Sequence, residues 1–85
     1  MMDRKTVFLK LDEVFCDVLD LDEITLNDAT TMDDVEDWDS LSHVHLVMEI
    51  QKAFGIKFTS LEIISWKNVG EMVDSILSKM NDAVR

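Results

Sequence analysis

Serine, histidine and carboxylate side chains crowd into Glu36-Asp37-Trp38-Asp39-Ser40-Leu41-Ser42-His43-Val44-His45, and each combination names a different chemistry. Ser40 with His43, three residues on and able to share a helix face, suggests a nucleophile and its base. That pairing also needs an oxyanion site and usually a sharp, glycine-flanked strand-to-helix turn. No glycine precedes Gly55, and a helical chain of 85 residues has no evident means of building the water-excluding pocket that acyl transfer requires. No catalytic residue is therefore expected. His43 and His45 suggest zinc, but residues two apart on a helix point roughly 200° apart around its axis and cannot share one ion. With a single cysteine and no third histidine, no metal site is expected. The remaining reading makes Ser40 the substrate of another enzyme. In the first turn of a helix its hydroxyl would be exposed and fixed, where unpaired amides and the helix dipole favour an attached phosphate by about 0.3–1 kcal/mol. Asp37 and Asp39 oppose that, since a like charge a few ångströms away in water costs about 1 kcal/mol. These acids suit recognition by a basic modifying enzyme better than stabilisation of its product.

Four helical segments must position this stretch. Val7, Leu11, Val14, Phe15 and Val18 recur at helical spacing between Asp3 and Leu19, with Phe8 and Leu9 adding to one side. Cys16 lies among them without a basic neighbour in sequence to lower its thiol pKa, so it is read as packing. Residues 20–39 show no steady period and are rich in Asp, Asn and Thr, which favour turns and caps; they predict a long loop. Leu21, Ile24, Met32, Val35 and Trp38 are its candidate pins. A calcium loop would need a turn glycine and a closing bidentate Glu, and the segment contains no glycine. The second helix should begin at Asp39 or Ser40 and end at Phe54, where Gly55 supplies a left-handed stop. Leu46, Val47, Ile50 and Phe54 form one apolar face. Leu41, Val44 and Met48 form a second, rotated line, which either covers the long loop or meets another protein. After the extended Ile56-Lys57-Phe58, Thr59-Ser60-Leu61-Glu62 has the spacing of a capping box for a short third helix. Asn68 caps a fourth, carrying Val69, Met72, Val73, Ile76, Leu77 and Met80, with Trp66 bridging the last two helices.

Composition agrees. The absence of proline, two glycines and 47% apolar residues argue for an all-α class, with residues 1–85 as one domain. The net charge of −10 is local: thirteen Asp or Glu and no Lys or Arg lie between Leu11 and Gln51. Such a field excludes nucleic acid and anionic membrane surfaces as partners and favours basic protein faces. The charged start does not read as a signal peptide, there is no membrane-spanning run, and one cysteine fits a cytoplasmic location.

Asp39-Ser40-Leu41, followed by the helix of Val44, Val47, Met48, Ile50 and Phe54, preceded by the acidic loop and followed by two further helices, resembles the acyl carrier protein family. The likeness covers essentially the whole chain. It implies a four-helix bundle with a long loop between the first two helices and a short third helix. It implies a Ser40 hydroxyl joined to 4′-phosphopantetheine, taken from coenzyme A by a Mg²⁺-dependent phosphopantetheinyl transferase. The distal thiol would hold an acyl or aminoacyl group as a thioester, moved between a loading ligase or transferase and downstream synthase enzymes, so the chain itself would be no enzyme. By the same likeness, Leu41, Val44 and Met48 become the apolar contact line for partners, Asp37 and Asp39 an electrostatic guide, and His45 part of the recognition surface. Asp37 stands where fatty-acid carriers usually have glycine, and His45, Gln51 and Lys52 stand in a helix that is usually acidic. The Trp38-Asp39-Ser40-Leu41 form is similar to stand-alone carriers of polyketide, nonribosomal peptide or cell-surface modification pathways, often loaded by a dedicated adenylate-forming ligase. The expectation is a monomeric carrier of such a pathway. The alternative is an unmodified acidic adaptor docking on a basic partner through the second helix; modification of Ser40 separates the two.

Overall fold

The computed structural model describes residues 3–83. Helices form where period and caps call for them: α1 (Arg4–Leu19), α2 (Ser40–Phe54), α3 (Ser60–Ser65) and α4 (Val69–Ala83). Among the described residues there is no strand, and the chain is an all-α, four-helix bundle. Side chains satisfy the free amides that open each helix. Asp3 Oδ1 accepts from the Thr6 N–H at 2.8 Å, and Asn68 Oδ1 from the Glu71 N–H at 2.9 Å. Thr59 and Glu62 cap each other reciprocally, at 2.8 and 3.2 Å. Gly55 closes α2 in the left-handed region at φ 66°, with the Ile56 N–H returning to the Gln51 carbonyl at 3.1 Å. Asp20 closes α1 in the same way at φ 56°, a stop that no glycine announces and that a short polar side chain tolerates.

α1 packs against both α2 and α4. Val7, Leu11 and Phe15 from α1, Leu46 and Ile50 from α2, and Val73 and Ile76 from α4 meet in a core sealed from solvent. Each large side chain so buried contributes about 1.5–3 kcal/mol, most of it offset by chain entropy. Leu9 departs from expectation. It is 59% exposed, because it lies about 100° around α1 from its packed neighbour Phe8 and faces away from the bundle.

The loop is less irregular than its sequence. It contains a 3₁₀ turn at Met32–Asp34, capped by Thr31 and Asp34. Leu21, Ile24, Met32 and Val35 are partly buried against the core and Trp38 is buried, as the sequence suggested; Leu26 is buried as well, and no period marks it. Loop carbonyls then satisfy the opening amides of α4: Val69 N–H donates to Thr30 O at 2.8 Å and Gly70 N–H to Asp28 O at 3.0 Å. The Arg4 guanidinium clamps the same corner, donating to Asp28, to Asp74 at 2.6 Å and to the Gly70 carbonyl at 3.3 Å.

This approach requires glycine at position 70. A Cβ there would stand 2.8 Å from the Asp28 carbonyl oxygen, a backbone atom that cannot swing aside. Gly70→Ala is expected to lower stability by about 1–2 kcal/mol, the cost of overpacking less the gain in helix propensity. Urea and thermal denaturation measure it; an unchanged or raised melting temperature would show that the loop shifts freely.

Candidate attachment site

Asp39, not Ser40, caps α2. Its Oδ1 accepts from the Leu41 N–H at 3.0 Å and the Ser42 N–H at 2.9 Å. The Ser42 hydroxyl closes the box from the other side, accepting from the Asp39 N–H at 2.9 Å and lying 3.1 Å from the Asp37 carbonyl, to which it can donate. These bonds, with the Ser42 amide contributing most, hold the Asp39 carboxyl below the usual carboxylate range. Ser40 is left as the first residue of the helix, exposed, and its hydroxyl takes part in none of the side-chain hydrogen bonds that build this cap.

Leu41, Val44 and Met48 do not cover the loop. They are 83%, 59% and 53% exposed. With Asp39, Ser42 and His45 they line an open, mainly apolar depression of about 530 Å³ beside Ser40. Asp39, in this lining, and Asp37, two residues before it, are both exposed. Further along α2, Lys52 Nζ lies 3.6 Å and His45 Nε2 3.9 Å from Glu49 Oε1, so the one carboxylate of α2 sits between a lysine and an imidazole. Leu61 and Ile64 of α3 are also exposed, at 75% and 77%, which sequence reasoning missed; their three-residue spacing on a six-residue helix was the available signal.

The histidines part company. His45 points to solvent and Glu49, whereas His43 turns inward and is not a base for Ser40. The Trp38 indole N–H donates to His43 Nδ1 at 3.1 Å, and the two rings stack at 5.8 Å between centroids. Among the described residues no cluster of three or more His, Cys, Asp or Glu is arranged to hold a metal ion. Cys16 is half-buried; desolvation and then the acids around it, Asp12 and Asp17 foremost, push its thiol pKa up, away from nucleophile chemistry.

A family model described as "Phosphopantetheine attachment site" matches residues 10–76, a span that includes this whole arrangement. A four-helix bundle with that match defines a class: proteins that carry a phosphopantetheine arm and leave catalysis to their partners. Within that class the chain belongs to the acyl carrier protein family. It is 35% identical to the acyl carrier protein of Rubrobacter xylanophilus over 77 residues, covering 89% of this chain and 94% of the relative. It is 33% identical to the polyketide-8 synthase acyl carrier protein 2 of Streptomyces avermitilis over 75 residues, covering 86% and 84%. Its fold is similar to the solution structure of the holo acyl carrier protein from Geobacter metallireducens, with a TM-score of 0.85, 33% identity and coverage of 92% and 90%. Membership decides between carrier and unmodified adaptor in favour of the carrier.

Proposed function

We propose that Ser40 is the residue to which the 4′-phosphopantetheine arm is joined. The observation that carries this is a serine hydroxyl at the opening of α2 that is exposed, free of capping duty and bordered by an unpartnered apolar depression. The residues present fit the group: the cap amides are already occupied by Asp39, so the Ser40 Oγ alone would hold the arm, and nothing in the cap must break to receive it. When bound, the arm supplies a thiol that holds an acyl or aminoacyl group as a thioester. Incubation with coenzyme A, Mg²⁺ and a broad-specificity phosphopantetheinyl transferase should add one phosphopantetheine mass, recovered on the peptide containing Ser40. No mass gain with several such transferases, or a gain elsewhere, overturns the assignment.

Leu41, Val44 and Met48, with His45, Asp37 and Asp39, form the partner-docking face in this reading. A transferase and loading enzyme would present apolar surface to the first three and basic groups to the acids. In this reading residues 1–85 form one domain that acts as a monomer in the cytoplasm. Among the described residues no helix is long and apolar enough to cross a membrane.

The pathway is a specialised one rather than general fatty-acid synthesis. His45, Gln51 and Lys52 support this, because none of them is an acid and Lys52, 3.6 Å from Glu49, offsets the one carboxylate of the docking helix. Loading by ligases encoded nearby should exceed loading by a generic fatty-acid malonyl transferase by at least about tenfold in kcat/KM, the ratio that a difference of 1.4 kcal/mol in transition-state binding produces. Efficient malonyl loading and elongation would place the carrier in fatty-acid synthesis instead.

A further inference from the structure

Sequence reasoning excluded His43 as a catalytic base and as half of a zinc pair without giving it a role; its surroundings supply one. Trp38 comes two residues before Ser40 and His43 three residues after it. Trp38 is buried, edge-on to Phe15 of α1 at 4.9 Å, and the only polar atom of its side chain, the indole N–H, donates to His43 Nδ1 at 3.1 Å. On its far side His43 meets Trp66 at 6.3 Å and 83°, and Trp66 is in turn held by its own indole N–H on Ser75 Oγ at 2.8 Å. The outer side of the Ser40 turn is closed by Asp39 and Ser42; the inner side is closed by Trp38 and His43. The second closure ties the turn to α1 and to α4.

We propose that His43 is a positioning residue for the attachment reaction: its Nδ1 lone pair accepts the Trp38 indole N–H and staples the inner side of the turn that presents Ser40. This role rests on Ser40 being the acceptor. The staple works only with neutral imidazole carrying its proton on Nε2. A second proton, on Nδ1, removes the lone pair and sets two N–H donors against each other, leaving a buried indole N–H without a partner.

Among the described residues no ion pair or side-chain hydrogen bond joins His43 to a charged group. The groups packed on His43 are indoles, Trp38 from the loop and Trp66 from the α3–α4 connection; the charged residues beside them, Asp37, Asp39 and Lys67, are exposed. Burial alone lowers the His43 pKa. The unfolded chain therefore takes up the proton first, so the stability that depends on neutral His43 is complete above the ordinary histidine value of about 6.5 and is lost as pH falls below it towards the lowered folded value.

The test compares the wild type with His43→Asn, whose amide oxygen replaces the Nδ1 acceptor and does not titrate, and with His43→Leu, which has no acceptor. Each is modified by a broad-specificity phosphopantetheinyl transferase with coenzyme A and Mg²⁺ from about pH 7.5, above the ordinary histidine pKa, down to the lowest pH at which the helices remain folded, because burial puts the folded His43 value below the ordinary one. At the upper end His43→Asn should stay within about twofold of wild type in kcat/KM, and His43→Leu should lose about fivefold, the value of one hydrogen bond. Towards the lower end the wild-type to His43→Asn ratio, which cancels the transferase's own pH dependence, should fall about fivefold while helicity by circular dichroism is retained. A ratio flat in pH, or His43→Leu modified as fast as wild type, overturns the proposal. Where His43→Leu fails to fold, the pH-dependent ratio decides alone. The Trp38 indole N–H resonance supplies an arm independent of modification: it should titrate in wild type and not in His43→Asn. If no protein gains mass at any pH, the Ser40 assignment fails while this resonance still decides the staple.

Discussion

Ser40→Ala is expected to abolish the phosphopantetheine mass gain completely while leaving the melting temperature unchanged. The two halves of that expectation have separate causes. Loss of modification follows because the transferred phosphate needs an oxygen nucleophile at this position, and Ser42, the nearest other hydroxyl, is engaged with the Asp39 amide and the Asp37 carbonyl. Retained stability follows because Asp39 caps α2, so the Ser40 side chain is dispensable to the fold. Alanine is also the better helix former, by a few tenths of a kcal/mol. Mass spectrometry and a thermal melt on the same sample check both. A variant that still gains mass displaces Ser40 as the attachment residue, and one that loses several degrees shows a structural duty that its hydrogen bonding does not reveal.

Trp38→Ala is expected to cost about 3–5 kcal/mol, the usual penalty for truncating a buried tryptophan. A small domain holds only about 5–15 kcal/mol in total, so this variant should lie close to unfolding at room temperature. Three losses combine: the edge-on contact with Phe15, the hydrogen bond to His43, and the anchor of the loop that ends at the Ser40 turn. Trp38→Phe keeps the ring against Phe15 and deletes only the N–H donor, and should cost about 1–2 kcal/mol. Urea titration separates the two. Equal losses would mean that the hydrogen bond to His43 carries the whole effect, and a tolerated Trp38→Ala would mean that the loop is not anchored through this residue.

Much of the architecture is visible in the chain itself. The helical period of Val7, Leu11, Val14 and Phe15, the Gly55 stop and the Thr59–Glu62 box each act within a few residues, and the structure bears out those elements. The loop was legible only as a loop. The 3₁₀ turn rests on the local Thr31–Asp34 cap, whereas Leu26 is covered only by the folded core, and a segment without a period carries no local signal of which side chains will be covered. At the candidate site, the capping role could be read either for Asp39 or for Ser40 from adjacency alone. Geometry assigns it to Asp39 and frees the Ser40 hydroxyl.

The sequence by itself determined the helices, the acidic field from Leu11 to Gln51 and a serine at the opening of the second helix, because all three are properties of neighbours along the chain. Tertiary structure decided the rest. Leu41, Val44 and Met48 had two possible coverings, and only the position of the loop leaves them open to a partner. His43 and His45 are chemically alike and two residues apart, yet one closes on Trp38 and the other faces solvent. Such distinctions depend on which distant residue arrives at a given face, and that is set by the packing of α1 on α2 and α4, not by spacing within α2.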